Sequence, residues 1–388
     1  MTDIQQVSTQ ARNTRGRTPV YSILLNEEEF DITVHELSVS YSEGMHDVAT
    51  IRAQSTELED TEGMADSLIS FRFGQSPRIE HFQGYVVDVK EEQGSQGALT
   101  FTLSLLGATK VMFEGLPHWW SDKAITSALR DLANKNGLGF TGHTHSHLWK
   151  ALAQTQESDW AFANSLSKVI GWALFNRYGV VLSYHPGDLF DQSGEFARLV
   201  SGEINDPQRD RYLLDFKPAE AADIIEQNLG AKYGYLTTNQ TVQIGTQPGD
   251  FKGYLFDPTK VIRDQDEAAV YVTSADTTMD TWKQQAIARI WGDADIYPGM
   301  CVEIVTTNRR FMRDKYDGKW MVRAVGQQAD RQQYQTALYL CRPRSTPVSG
   351  LSYQPFWQVG TTRARPTLKA IEGKWVSSWN NQTLASIL

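Results

Sequence analysis

Three imidazoles recur at alternate positions in His143-Thr144-His145-Ser146-His147, the densest group of histidines in this 388-residue sequence. In an extended strand alternate residues share a face, so the three rings would point the same way. Imidazole is a good ligand for zinc, iron or nickel. One chain supplies three such ligands and needs a fourth, or a threefold assembly that brings three copies together. The plainer reading is a polar loop or edge strand between two helices. We assign no metal and no cofactor, and keep His143, His145 and His147 as candidate positions.

Other groupings weigh less. Gly137-Leu138-Gly139-Phe140-Thr141-Gly142 matches the dinucleotide fingerprint by letter. That chemistry needs a strand before the glycines and a helix after them, so that a pyrophosphate meets the helix N-terminus. Here a helical pattern precedes and the histidines follow, so the match is accidental. The sequence contains no G-x-x-x-x-G-K-[ST], G-x-S-x-G, H-E-x-x-H or C-x-x-C pattern. Glu57, Glu59, Asp60 and Glu62 read as a solvated loop, and a glycosidase pair cannot be chosen from 46 acids by spacing. Aromatic residues fall at strand and helix periods, as core residues do. Trp119 and Trp120, just before a helix, are instead candidates for an interface. We expect no catalytic site.

Composition sets the frame for these residues. At 40% hydrophobic and 11% aromatic the chain can bury several cores, and its length suits two to four domains of roughly 100–200 residues. No stretch approaches the ~18 apolar residues of a membrane span, and the polar start lacks the apolar region of a secretory signal. Cys301 and Cys341 both lie in strand-like runs, which suits two buried thiols in a reducing cytoplasm. The net charge of −9 is uneven: residues 342–388 carry six Arg/Lys against one Glu and residues 1–18 three Arg against one Asp. With +5 and +2 at the ends, the body between carries −16. Such a body does not grip duplex nucleic acid, which asks for a basic face.

The elements that must hold these residues follow from periodicity. Leu99, Phe101, Leu103 and Leu105 alternate with Thr100, Thr102 and Ser104, a half-buried strand. Ile32 and Val34, then Leu37, Val39 and Tyr41, alternate too, with a phase slip near His35–Glu36 that predicts a β-bulge. With Ile69, Phe71, Phe73 and the 85–89 run they make five or six short strands of a small barrel or sandwich. The period then becomes helical. Ser121 caps a predicted helix with Ile125, Ala128, Leu129, Leu132 and Ala133 on one face, stopped at Gly137. A second helix opens at Ser158, carries Phe162, Leu166, Val169 and Ile170, and stops at Gly171. A hairpin about Tyr178–Gly179 follows. From about Ser201 β patterns return, with a short helix predicted over 282–290, a Tyr297-Pro298-Gly299 turn, a hairpin turn at Asp317–Gly318 and alternating runs at 320–324 and 334–340. A Pro/Ser/Gly-rich tail with Trp357, Trp375 and Trp379 closes the sequence.

Two stretches carry a resemblance. The first is Gln156-Glu157-Ser158-Asp159-Trp160-Ala161-Phe162, with Leu166 and the Ile170–Gly171 stop. The second is Tyr297-Pro298-Gly299, then Tyr316-Asp317-Gly318-Lys319-Trp320-Met321-Val322, then the strand Thr336–Arg342. In this order and at these distances they resemble the baseplate hub proteins of contractile-tailed phages. The same family includes late control protein D and the N-terminal half of the type VI secretion spike protein VgrG. The resemblance implies a mainly β chain with an α+β insert and two small antiparallel, tail-tube-like β-barrels. It divides the chain into an N-terminal tail (1–18), a first barrel (19–114), the insert (115–200), a second barrel (201–343) and a C-terminal arm (344–388).

The implied function is that of a structural homotrimer. Its six barrels form a pseudo-sixfold ring joining a hexameric tail-tube protein to a trimeric spike protein, with baseplate wedge proteins as further partners. DNA is present only in transit through the lumen, and an acidic lumen would let it pass. The expected location is the virion tail baseplate, after assembly in the cytoplasm of the infected bacterium. No spike β-helix follows the second barrel, so the spike is expected to be a separate polypeptide. A tail-associated cell-wall hydrolase, or a distal tail protein of a non-contractile tail, are the competing readings. A type VI spike lacking its needle ranks below them.

Overall fold

The computed structural model describes residues 20–219, 284–306 and 316–342 with brief breaks, together with 232–236, 242–246, parts of 266–274, 368–371 and 374–377. The predicted tail and arm, and Glu57, Glu59 and Asp60 of the acidic run, lie outside the described residues, except for two short strands within the arm.

The chain is mainly β. Its first half supplies β1 (Val20–Leu25), β2 (Glu28–Glu29), β3 (Thr33–Ser42), β4 (Val48–Ser55), β5 (Leu68–Gln75), β6 (Arg78–Glu92) and β7 (Leu99–Gly107), in the spatial order β3-β4-β7-β6-β5-β1-β2. In β7 the apolar Phe101, Leu103 and Leu105 are buried while Thr100, Thr102 and Ser104 are half-buried, the alternation a one-sided sheet requires. The register of β3 against β4 shifts between Val34 and Glu36, which is the predicted bulge. A second shift, between Val86 and Asp88, left no comparable mark in the sequence.

The insert contains β8 (His118–Trp120), α1 (Ile125–Lys135), β9 (Gly139–Gly142), β10 (Leu152–Gln154), α2 (Asp159–Ile170), β11 (Ala173–Arg177), β12 (Val180–Tyr184) and α3 (Pro186–Phe190). Helix α2 is capped as its sequence predicts: Ser158 accepts from the Ala161 N–H, and Gly171 closes it at φ 68°. Helix α1 is not. It starts after Ala124 with no side-chain cap, and Ser121 lies three residues upstream of that position. The β11–β12 turn has Tyr178 at φ 53° and Gly179 at φ 73°, the paired positive angles of a type I′ hairpin.

The second β half contributes β13 (Ala197–Val200), β14 (Asp210–Ala219), β15 (Lys232–Leu236), β16 (Val242–Thr246), β17 (Gln284–Trp291), β18 (Cys301–Val305), β19 (Gly318–Ala329) and β20 (Tyr334–Arg342). Six of these close into a barrel, β18-β13-β14-β17-β20-β19 and back to β18. It is largely antiparallel, but both ladders made by β13 run parallel. Strands β15 and β16 pair with each other, as do β21 (Leu368–Ile371) and β22 (Lys374–Ser377).

Two sequence expectations fail here. The segment predicted as a helix over 282–290 is strand β17, hydrogen-bonded to β14 on one side and β20 on the other. Ala286 and Ile290 suit one helical face, yet Ala286, Ala288 and Ile290 also lie on one strand face, and the two neighbouring ladders decide. Asp317–Gly318 is not a two-residue turn. Asp317 ends the long connection from β18, where its carboxylate accepts from the Thr306 N–H at 3.0 Å, and Gly318 opens β19.

The two β halves are one sheet. Strand β19 pairs antiparallel with β3 from Ala324↔Ser42 to Ala329↔Leu37, and one buried apolar cluster runs from Ile23 to Leu340 across that seam. The insert has its own core around Trp120, Leu129 and Trp160. Its Phe175, Leu182 and Leu189 also pack on Cys301, Met321 and Cys341 of the barrel wall.

Candidate functional site

Residues 143–148 form no strand, so the premise that put three imidazoles on one sheet face does not hold. The alternation survives as exposure: the histidines are half-buried while Thr144 and Ser146 are exposed. The rings lie against aromatic side chains. His145 sits 5.6 Å from the Trp149 ring and 5.7 Å from Trp172, and His147 meets Trp149 edge-on at 4.4 Å. His143 instead approaches Asp188, Nδ1 to Oδ2 3.6 Å. Burial, helped by the neighbouring His147, lowers the His145 pKa to about 4, so its ring is neutral where it packs on indole. Among the described residues no group of three or more His, Cys, Asp or Glu is arranged to hold a metal.

The tryptophan pair divides between two roles. Strand β8 pairs with β10, Trp120↔Leu152 and Trp119↔Ala153, so successive indoles face opposite ways. Trp120 is 6% exposed, stacks on Phe162 at 5.5 Å and donates from Nε1 to Asp131 at 3.1 Å. Trp119 is 60% exposed, on a segment that also presents Phe113 and Leu116 at 62% and 71%. Trp120→Ala is expected to cost about 3–5 kcal/mol through lost packing and cavity formation. Trp119→Ala should change stability by less than about 0.5 kcal/mol. Urea titrations of the two variants check both values.

The densest polar constellation was not among the predicted sites. It centres on Glu43-Gly44-Met45-His46-Asp47, the turn between β3 and β4, and it touches all three parts of the chain. Toward the barrel, Glu43 bonds through its backbone N–H to the Arg323 carbonyl at 3.1 Å and through its carboxylate to Arg323 Nε at 3.3 Å. Toward the insert, the Gly44 N–H donates to the Leu174 carbonyl at 2.8 Å, and Trp160 Nε1 donates to the Gly44 carbonyl at 3.3 Å. Gly44 has φ +69°, and a Cβ there would meet Asn164 Oδ1 at 2.7 Å, so the site accepts glycine on both counts. His46 bonds Thr109 at 2.9 Å and packs on Trp160 at 5.4 Å.

Asp47 completes the turn. Its carboxyl accepts from Asn176 Nδ2 at 2.7 Å, and its backbone carbonyl accepts from the Gly107 N–H at 2.7 Å. Burial raises its pKa to about 8, with the Asn176 bond opposing, so the carboxyl is protonated at neutral pH. Around it lie Glu80, which accepts from the Tyr178 hydroxyl, and Arg177, whose guanidinium sits 4.1 Å from the Tyr297 ring centre. Tyr41 and Tyr297 face each other at 4.8 Å, and burial pushes both phenols well above their usual range. His81, also desolvated, is lowered to about 4. A cavity of about 20 Å³, room for one water, lies among Tyr41, Asp47, His81, Asn176, Tyr178 and Tyr297. The arrangement joins elements.

No protein-family model matches the sequence, and no curated protein matches it significantly. Solved structures do match. The tail protein from Neisseria meningitidis MC58 superposes with a TM-score of 0.57 at 12% identity, covering 84% of this chain and 97% of that one. The 43 kDa tail protein of prophage MuSo2 from Shewanella oneidensis gives 0.57 at 10% identity, over 84% and 98%. The E. coli c3393 protein is described as a type VI secretion component structurally similar to the T4 bacteriophage tail proteins gp27 and gp5. It gives 0.57 at 12% identity, over 86% and 79%. The fold is that of the phage tail proteins.

Within this tail fold the residues that carried the sequence resemblance have local duties. Ser158 caps α2 and Asp159, 1% exposed, gathers Lys135 at 3.0 Å, Asn136 at 2.7 Å and Gln154 at 2.7 Å. Trp320, fully buried in the barrel, donates from Nε1 to the Tyr316 carbonyl at 2.8 Å. Cys301 and Cys341 are buried thiols facing the insert, and burial pushes Cys301 up to about 12, far from a reactive thiolate. No helix among the described residues is long and apolar enough to cross a membrane.

Proposed function

We propose that this chain is the structural hub of a phage tail baseplate, acting as a homotrimer without catalysis of its own. The observation that carries the reading is the seam. A closed six-stranded barrel and a second, antiparallel seven-stranded β unit are joined edge to edge through β19 and β3, so each chain offers two β units side by side. Three chains then offer six, and a ring of six units can dock on a hexameric tail-tube protein while its other face keeps threefold symmetry for a trimeric spike. We retain 19–114, 115–200 and 201–343 as the two ring units and the outward insert, with wedge proteins against the periphery. The excess of acid over base in the body suits a bore through which DNA passes without adhering, because its phosphates meet no cationic partner there. In this reading the protein is made in the bacterial cytoplasm and ends in the virion tail. The type VI component among the structural neighbours favours a second reading, the base of a secretion spike.

Negative-stain microscopy of the purified chain, alone and mixed with its tail-tube protein, tests the proposal. Rings with a central hole and threefold or pseudo-sixfold averages are expected. Monomers that ignore the tube would remove the hub role. Binding to a secretion-tube protein in preference to a phage tube would select the second reading. Trp119→Ala, which leaves the folded core untouched, is expected to weaken assembly at least tenfold in sedimentation velocity if its exposed indole lies at a subunit contact.

A further inference from the structure

The turn between β3 and β4 is a tie rather than a loop. Five consecutive residues hold the barrel through Glu43 and Arg323, and the insert through Gly44, His46 and Asp47. The rest of the insert's hold on the barrel is mostly of another kind, the apolar contact of Phe175, Leu182 and Leu189 with Cys301, Met321 and Cys341. The polar tie and the apolar seat are made by different residues.

We propose that the Glu43–Asp47 turn is a proton-held latch, seated in the insert while the Asp47 carboxyl carries its proton and released when that proton is lost. The inference goes beyond the assembly proposed above and does not depend on it. The geometry supplies the reason. An ionised Asp47 would lie in a buried site, 6% exposed, with Asn176 as its side-chain donor. The neighbouring Tyr41 phenol, itself buried against Tyr297, would face that buried negative charge. Besides Arg323, which pairs with Glu43, this junction holds Arg177, which lies over Tyr178 and Tyr297 and serves the Glu80 side. Withdrawing the turn into water removes that cost.

The remaining titratable groups facing the latch do not reproduce the effect. His81 on β6 is already neutral, its pKa depressed to about 4 by burial. His46 on the turn itself is lowered by burial and is neutral above the ordinary histidine range. Glu43 is paired with Arg323 on β19, and burial raises its pKa in competition with that pairing. The sign follows from the raised Asp47 pKa, about 8 in the seated form. The exposed turn has an ordinary carboxyl pKa, so seating binds a proton. The latch is tightest at low pH, loosens as pH rises toward 8, and changes little above that.

Hydrogen–deuterium exchange of the full chain at pH 6.5 and 8.0, corrected for intrinsic exchange rates, tests the latch. Peptides covering 43–47 and 173–177 should show an opening constant about 15-fold larger at the higher pH, because one proton is linked to opening and the seated carboxyl is half ionised at pH 8. Peptides from β17 and β20 should hold their protection at both. Asp47→Asn, which keeps the size and the uncharged state, should make the two values equal within error. A wild-type turn whose opening constant is the same at both pH values overturns the proposal on its own, whatever the variant does. Equal loss in β17 and β20 also overturns it, since the whole chain rather than the latch would be opening. A pH dependence that persists in the folded Asp47→Asn protein assigns the proton elsewhere and overturns it as well.

Discussion

Asp293→Ala is expected to lower the stability of the closed barrel by about 3–5 kcal/mol, because it leaves a buried guanidinium without its counter-ion. Asp293 is 1% exposed and forms an ion pair with Arg211 of β14. The same residue anchors three strands. Its backbone N–H donates to Thr336 Oγ1 of β20 at 2.8 Å, its carbonyl accepts from Gln327 Nε2 of β19 at 2.8 Å, and Thr336 in turn donates to Gln327 at 2.6 Å. Truncation strands the charge of Arg211, which retains only its bonds to the Gln208 and Asp210 carbonyls at 2.8 and 3.2 Å. Replacing both partners together, Arg211→Met with Asp293→Leu, should cost less than Asp293→Ala alone, since no charge is then left buried. Urea unfolding followed by far-ultraviolet circular dichroism measures both. A single variant no worse than the double would show that the pair is solvated.

Trp320→Ala is expected to destabilise the same barrel by about 3–5 kcal/mol, the range for deleting a buried aromatic ring. The indole is fully buried, with Phe216 at 5.9 Å and Arg342 at 5.0 Å from its ring. Trp320→Phe keeps most of the apolar volume but loses the Nε1 bond to Tyr316, and should cost nearer 1–2 kcal/mol. Loss of tryptophan emission change at the barrel transition, with the insert transition unmoved, would place the damage where the structure does. Damage confined to the insert would contradict the placement of Trp320.

Much of the architecture was legible because it depends on local chemistry. The bulge beside Val34 appears as a slip in a two-residue period. The α2 caps appear as Ser158 and Gly171, and the β11–β12 hairpin as Tyr178–Gly179, each resolved within a few residues of chain. Strand β17 was misread because Ala286 and Ile290 fit two periods at once, and only the ladders to β14 and β20, both distant in sequence, choose between them. The histidines illustrate the converse. Their spacing alternates, but a metal site needs a common focus, and tertiary packing gave the rings to Trp149, Trp172 and Asp188 instead.

The sequence by itself determined a mainly β chain with an α+β insert, the strand faces, the helix stops and the absence of familiar catalytic motifs. The tertiary structure alone decided that the two β halves are one sheet, that Trp120 is core while Trp119 is surface, and that Glu43–Asp47 is a buried tie. The reason is range. Periodicity and capping are set by neighbours within a turn or a strand, whereas Asp47 meets Asn176 across 129 residues and Glu43 meets Arg323 across 280. A short polar turn that would be solvated by its own composition becomes buried only when distant segments close over it, and the same burial is what keeps its carboxyl protonated.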